Sequence, residues 1–143
     1  MNIRKATSED AEVLQNMTWE KGRNYKELIS AQRLPSEVFV WELNQRIVGY
    51  TGLIYYDWNN TAQIMNMWIH SDHRRKGYGT KLVQFLIERV RDKGYRSLIA
   101  EAPSLNPVLM FYLKNGFRIC GFNDRYYSNK GKEMALWVSY DFE

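Results

Sequence analysis

The run His73-Arg74-Arg75-Lys76-Gly77-Tyr78-Gly79-Thr80-Lys81 constrains this chain more than any other stretch. Cations lead into two glycines, and the glycines are expected to open a helix. A strand-like segment, Thr61 to Ile69, lies just upstream. Without a Cβ, Gly77 and Gly79 let a backbone come close to a ligand and turn its N–H groups outward. A helix start adds unpaired N–H donors and about half a positive charge. Arg74, Arg75 and Lys76 add full charges. Such a set suits a diphosphate. A dinucleotide fingerprint would need a third glycine where Leu82 stands, and a triphosphate loop would need Gly-Lys-Ser/Thr. What remains is R-x-x-G-x-G followed by threonine.

Composition narrows the class. The chain has 143 residues, 45% hydrophobic and 25% charged, which is expected to form one globular domain over 1–143. No apolar run reaches the roughly 18 residues of a membrane span. Residues Met1 to Lys5 lack an apolar signal core, so a cytoplasmic location is expected. The single cysteine, Cys120, has no internal disulfide partner and sits in an apolar run, where a buried small hydrophobe is expected. The net charge of +4 is modest and its excess is local to 73–81. That pattern favours a polyanionic cofactor over nucleic acid, whose binders spread basic residues over a face. Neither His70 nor His73 has a sequence partner suggesting a metal site or a triad, so no metal is expected and each reads as a solvated loop residue.

Periodicity gives the element order. Residues 2–6 read as a strand, and Ser8-Glu9-Asp10 as a helix start with Ala11, Leu14 and Met17 at helical spacing. A second helix is expected over 24–33, ended by Pro35. Strands follow at 38–43, 47–56 and 61–69, with a hairpin turn at Asn44-Gln45 and a turn at 58–60. After the glycine loop, Leu82, Val83, Leu86 and Val90 mark one face of a helix stopped by Gly94. A strand at 97–101, a helix at 108–114 stopped by Gly116, and strands at 117–122 and 133–140 complete the chain. The order β-α-α-β-β-β-α-β-α-β-β predicts an α/β fold with a central mixed sheet flanked by helices.

This order and the glycine loop resemble the GNAT-type N-acetyltransferases. A second motif, Phe111-Tyr112-Leu113-Lys114-Asn115-Gly116-Phe117, is similar to that family's Y-x-x-x-G-F signature. The resemblance implies the GNAT fold, with a mostly antiparallel mixed sheet, and acetyl-CoA as cofactor. It implies that Arg74, Arg75, Lys76, Gly77, Tyr78, Gly79 and Thr80 cradle the diphosphate. It further implies that backbone groups of Met67, Trp68 and Ile69 pair with the pantetheine arm. Tyr112 would touch the cofactor and protonate the departing thiolate. Asn106 matches the asparagine that contacts the cofactor, one residue closer to the tyrosine than the family's usual spacing.

The reaction needs an amine stripped of a proton, because an ammonium with a pKa near about 10.4 is protonated at neutral pH. Many family members place a glutamate where this chain has Met65, so Glu101 at the end of the next strand is the substitute base. The acceptor side is built in the family by the first two helices and the loop before the last strand, here Trp19, Glu20, Asn24, Tyr25, Tyr126 and Tyr127. Aromatics with acids suit a cationic amine. Glu101, Asn106 and Phe111-Tyr112, with the tail from Gly121, look loosely similar to streptothricin acetyltransferases. The implied activity is N-acetylation of a primary amine on a small basic molecule, such as an aminoglycoside-like or streptothricin-like antibiotic or a polyamine. The alternatives are a protein N-terminal or lysine acetyltransferase and a non-catalytic acetyl-CoA-binding module. No nucleic acid or membrane partner is implied; a homodimer is compatible with the family.

Overall fold

A computed structural model describes residues 2–17 and 36–142. The expected helix over 24–33 lies outside them, as do Trp19, Glu20, Asn24 and Tyr25. The described elements are β1 (Asn2–Lys5), a 3-10 turn (Ser8–Asp10), α1 (Ala11–Met17), β2 (Ser36–Leu43), β3 (Arg46–Tyr56), β4 (Thr61–Ile69), a second 3-10 turn (Ser71–His73), α2 (Tyr78–Asp92), β5 (Ser97–Pro103), α3 (Val108–Lys114), β6 (Arg118–Asn123) and β7 (Ala135–Asp141). The strand order is β1-β2-β3-β4-β5-β7-β6. β1–β2, β2–β3, β5–β7 and β6–β7 are antiparallel, and β4 runs parallel to β5 from Thr61↔Ser97 to Gln63↔Ile99. This is the expected mixed sheet.

The residues group into two compact units: Met1–Tyr56 with Ile64–Leu82, and Asp57–Gln63 with Val83–Glu143. In the first, Ala11 and Leu14 of α1 are buried with Val38, Val40 and Tyr50, and Met65 and Trp68 pack against that cluster. The β2–β3 hairpin turns at Asn44 and Gln45, with φ of 52° and 64°. Two left-handed residues in a two-residue loop match the right-handed strand twist. Near the chain start, Arg4 donates to both carboxylate oxygens of Asp10 at 2.8 and 3.0 Å and to Glu42 at 2.6 Å. Asp10 also accepts the Thr7 N–H at 2.8 Å, which closes the capping box before α1. The guanidinium of Arg4 holds the Asp10 carboxyl below its ordinary pKa.

In the second unit, α2 buries Val83, Leu86, Ile87 and Val90. It ends at Gly94, whose φ is +82°, and Tyr95 N–H bonds back to the Val90 carbonyl at 3.3 Å. The turn before β4 is tied to this end, since Tyr95 donates to Asp57 at 2.6 Å and Arg96 Nε donates to the Asn59 carbonyl at 2.8 Å. β5 and β7 bury Leu98, Ala100, Ala102, Ala135 and Val138. The last strand begins at Ala135 rather than at Glu133.

Cys120 is not the buried hydrophobe expected from its neighbours; it is exposed. β6 stands at the end of the strand order and pairs only with β7 among the described strands. The register shifts between Ile119 and Gly121, so Cys120 falls at the irregularity. Ile119 and Phe122 are also exposed. An apolar run on an edge strand reads the same in sequence as one in a core.

Candidate active site

The first group of site residues lies where β4 passes into α2. His70 N–H extends the strand pairing by bonding to the Val48 carbonyl at 2.7 Å. The chain then makes the Ser71–His73 turn, and Arg74 Nε reaches back to the Ile69 carbonyl at 2.8 Å. Arg75 (φ 59°) and Gly77 (φ 80°) are both left-handed. Successive turns of this kind aim backbone N–H groups into one concavity, a nest for an anion. A Cβ built on Gly77 would meet nothing within 4 Å, so glycine is needed there for its φ rather than for space. The first helical hydrogen bond is Lys81 N–H to the Gly77 carbonyl at 3.3 Å. The N–H groups of Tyr78, Gly79 and Thr80 therefore precede the intrahelical ladder. Arg75 and Lys76 are exposed beside them. These donors and charges fit a diphosphate.

The Tyr78 ring holds the helix start in place, edge-on to the buried Trp41 of β2 at 4.3 Å between centroids. It also begins a ladder of rings. His73 lies 6.3 Å from Tyr78, His70 6.0 Å from His73, Trp68 5.8 Å from His70, and Tyr50 6.0 Å from Trp68. The two histidines are thus half-buried parts of a packed ladder rather than solvated loop residues. His70 Nδ1 accepts the Asp72 N–H at 3.2 Å. Among the described residues no group of three or more His, Cys, Asp or Glu could hold a metal.

Upstream, Met67, Trp68 and Ile69 form the end of β4. A Cβ on Gly49 would stand 2.8 Å from the Trp68 carbonyl. This glycine lets β3 come close to the backbone run that the family resemblance links to pantetheine. Sequence reasoning missed it, although an isolated glycine inside a strand pattern is a signal of close approach. Met65, in the place of the family's glutamate, lies over Gly52, with its Cε only 2.3 Å from where a Cβ would stand.

The second group lies on β5, α3 and the loop before β7. Glu101 on β5 is directly opposite Trp137 on β7. The Tyr127 hydroxyl donates to Glu101 Oε2. Tyr127 stands edge-on to Tyr126 at 5.1 Å, and Tyr126 edge-on to Trp137 at 5.5 Å. The structure therefore joins Glu101 with Tyr126 and Tyr127, and adds Trp137. Tyr112 is buried in α3, its ring 5.1 Å from Phe117. Burial, with the Glu101 charge acting in the same direction, pushes its hydroxyl well above the ordinary tyrosine pKa. A phenol so placed stays protonated at neutral pH. Asn106 Oδ1 accepts the Val108 N–H at 2.9 Å, so that side chain caps the start of α3.

A family model for the acetyltransferase (GNAT) family matches residues 4–117, and the chain belongs to that family. Its relatives include streptothricin acetyltransferase A of Bacillus subtilis (strain 168), 30% identical over 107 residues, 73% of this chain. The chain spans 61% of that relative's length. The fold is also that of a provisionally assigned streptothricin acetyltransferase from Bacillus anthracis str. Ames, solved in complex with acetyl coenzyme A (TM-score 0.74, 24% identity, 86% of this chain and 70% of that one). A ribosomal-protein-alanine N-acetyltransferase from Brucella melitensis shares it as well (TM-score 0.82, 21% identity, 99% of this chain and 100% of that one). No described helix is long and apolar enough to cross a membrane.

Proposed function

We propose that residues 1–143 act as one acetyltransferase domain that moves an acetyl group from acetyl-CoA to a primary amine on a small basic molecule in the cytoplasm. The observation that carries this reading is the nest at Arg75 and Gly77 running into the first N–H groups of α2, ahead of its hydrogen-bond ladder. When bound, acetyl-CoA supplies an acetyl group activated as a thioester. Arg75 and Lys76 with the Tyr78, Gly79 and Thr80 N–H groups bind the diphosphate, with Arg74 bracing the loop. Backbone groups of Met67, Trp68 and Ile69 pair with the pantetheine arm.

Glu101 accepts a proton from the acceptor ammonium, so that the amine nitrogen carries a free electron pair. Tyr112 donates its hydroxyl proton to the sulfur as the nitrogen–carbon bond forms and the carbon–sulfur bond breaks, and the second proton shed by the nitrogen restores the phenol. Each role leans on a feature of the site: Met65 has no proton-accepting group, and Tyr112 is a buried phenol in the place of the family's tyrosine. Tyr126 and Glu101 give the acceptor a ring face and a negative charge, which suits a cation. The similarity to streptothricin acetyltransferase A supports a basic antibiotic as acceptor.

The test is CoA release from acetyl-CoA, followed by thiol detection, with streptothricin, an aminoglycoside, spermidine and an N-terminal alanine peptide as acceptors. Turnover with the small amines and not the peptide is expected. Turnover with the peptide alone would make the chain a protein acetyltransferase. Met65 favours a second reading, an acetyl-CoA-binding module without catalysis, which predicts binding and no CoA release with any amine.

A further inference from the structure

The Tyr127 hydroxyl is turned to Glu101. The contact closes a circuit made of one backbone register pair and two ring contacts. Trp137 stands opposite Glu101 across the β5–β7 pair, Tyr126 packs edge-on against Trp137, and Tyr127 packs edge-on against Tyr126. The phenol then returns to the carboxylate from which the circuit began. Each ring fixes the next, although Tyr127 lies in the turn-rich stretch between β6 and β7. A glutamate carboxylate on a strand has several rotamers of similar energy. A hydrogen bond from a ring braced in this way selects one of them.

We propose that Tyr127 is a positioning residue: its hydroxyl, braced through Tyr126 and Trp137, holds the Glu101 carboxylate in the orientation from which it takes the proton of the acceptor ammonium. This rests on the reading of Glu101 as the base. The hydrogen bond occupies Oε2 and leaves Oε1 to accept the ammonium proton. Tyr127 itself neither gains nor loses a proton in the reaction. The site thus uses two tyrosines differently. Tyr112 is buried and supplies a proton, whereas Tyr127 is 41% exposed and supplies only direction.

Two readouts test the assignment. In the protein without acceptor, the carboxyl 13C resonance of Glu101 is expected to move on Tyr127→Phe, which keeps the ring and removes the hydroxyl. With streptothricin as acceptor, Tyr127→Phe is expected to lower kcat about 10-fold and leave KM for the amine unchanged. In the Glu101→Gln background the same substitution should cause no further loss, because Tyr127 acts only through that carboxylate. An unmoved resonance, losses that multiply in the double variant, or an effect carried by KM would overturn the positioning role and leave Glu101 as base. Full kcat in Glu101→Gln would overturn the base assignment and this inference with it.

Discussion

The guanidinium Nε of Arg74 donates to the backbone carbonyl of Ile69 at 2.8 Å, which closes the loop between β4 and α2 from within. One cation of the basic run is thus spent on the loop, while Arg75 and Lys76 remain exposed beside the nest. Arg74→Lys keeps the charge but loses this donor geometry. It should weaken acetyl-CoA binding about 10-fold, or ~1.4 kcal/mol, measured by calorimetry. An affinity equal to wild type would show that the loop does not need the brace.

Gly49 and Gly52 offer a contrast within one strand. A Cβ at Gly49 would press on the Trp68 carbonyl at 2.8 Å, and backbone gives little. A Cβ at Gly52 would meet Met65 Cε, the end of a flexible side chain. Gly49→Ala should cost about 2 kcal/mol of stability and Gly52→Ala less than about 1, by denaturant unfolding. Gly49→Ala should also weaken acetyl-CoA binding, since it displaces the carbonyl of Trp68. Equal costs would contradict the close approach of β3 to Trp68.

Tyr112→Phe should lower kcat roughly 100-fold with acetyl-CoA affinity nearly unchanged. The raised pKa of this tyrosine also has a consequence for stability. The folded chain holds the proton where the unfolded chain, with a tyrosine pKa near about 10, releases it. The stability this contributes is present below pH of about 10 and is lost as pH rises above it. Wild type should therefore lose more stability than Tyr112→Phe between neutral pH and pH of about 11 in denaturant titrations. Parallel losses would show that the hydroxyl is not buried.

Two carboxylates set the acid limit. Asp141 accepts from Arg118 at 2.6 Å, Ser139 at 2.7 Å and Ser97 at 3.0 Å, and its pKa falls to about 2. Arg4 lowers that of Asp10 as well. A depressed carboxylate contributes stability above its unfolded pKa, near about 3.9, which is lost as pH falls through the folded value. Stability should drop between pH of about 4 and 2, and Asp141→Asn should flatten that drop in thermal unfolding. An unchanged pH dependence in Asp141→Asn would remove the three-donor site as its cause.

Much of this fold was legible because each signal was local. Asn44-Gln45 had to be a turn between two β runs, and both residues took left-handed φ. Leu82, Val83, Leu86 and Val90 share one helical face, and all are buried. Gly77, Gly94 and Gly116 fall where φ is positive. The glycine turn at Gly77 and the helix that follows it were equally readable, because they follow one another along the chain.

What escaped was set by register and by edges. Trp137 faces Glu101 only because β7 pairs with β5 in one alignment, and nothing near either residue announces the partner. The bond from Tyr127 to Glu101 crosses 26 positions of sequence. Cys120 reads as core, yet lies on a strand with one neighbour among the described strands. The histidines read as solvated because a ladder of rings has no one-dimensional pattern.

The most direct measurement is calorimetric titration of the protein with acetyl-CoA, with NAD and ATP as controls. Selective binding near micromolar, about −8 kcal/mol, is expected, weakened strongly by replacing Gly79 with a bulky residue. Absence of acetyl-CoA binding, or equal binding of ATP and NAD, would contradict the assignment of the Arg74–Thr80 loop as the acetyl-CoA cradle.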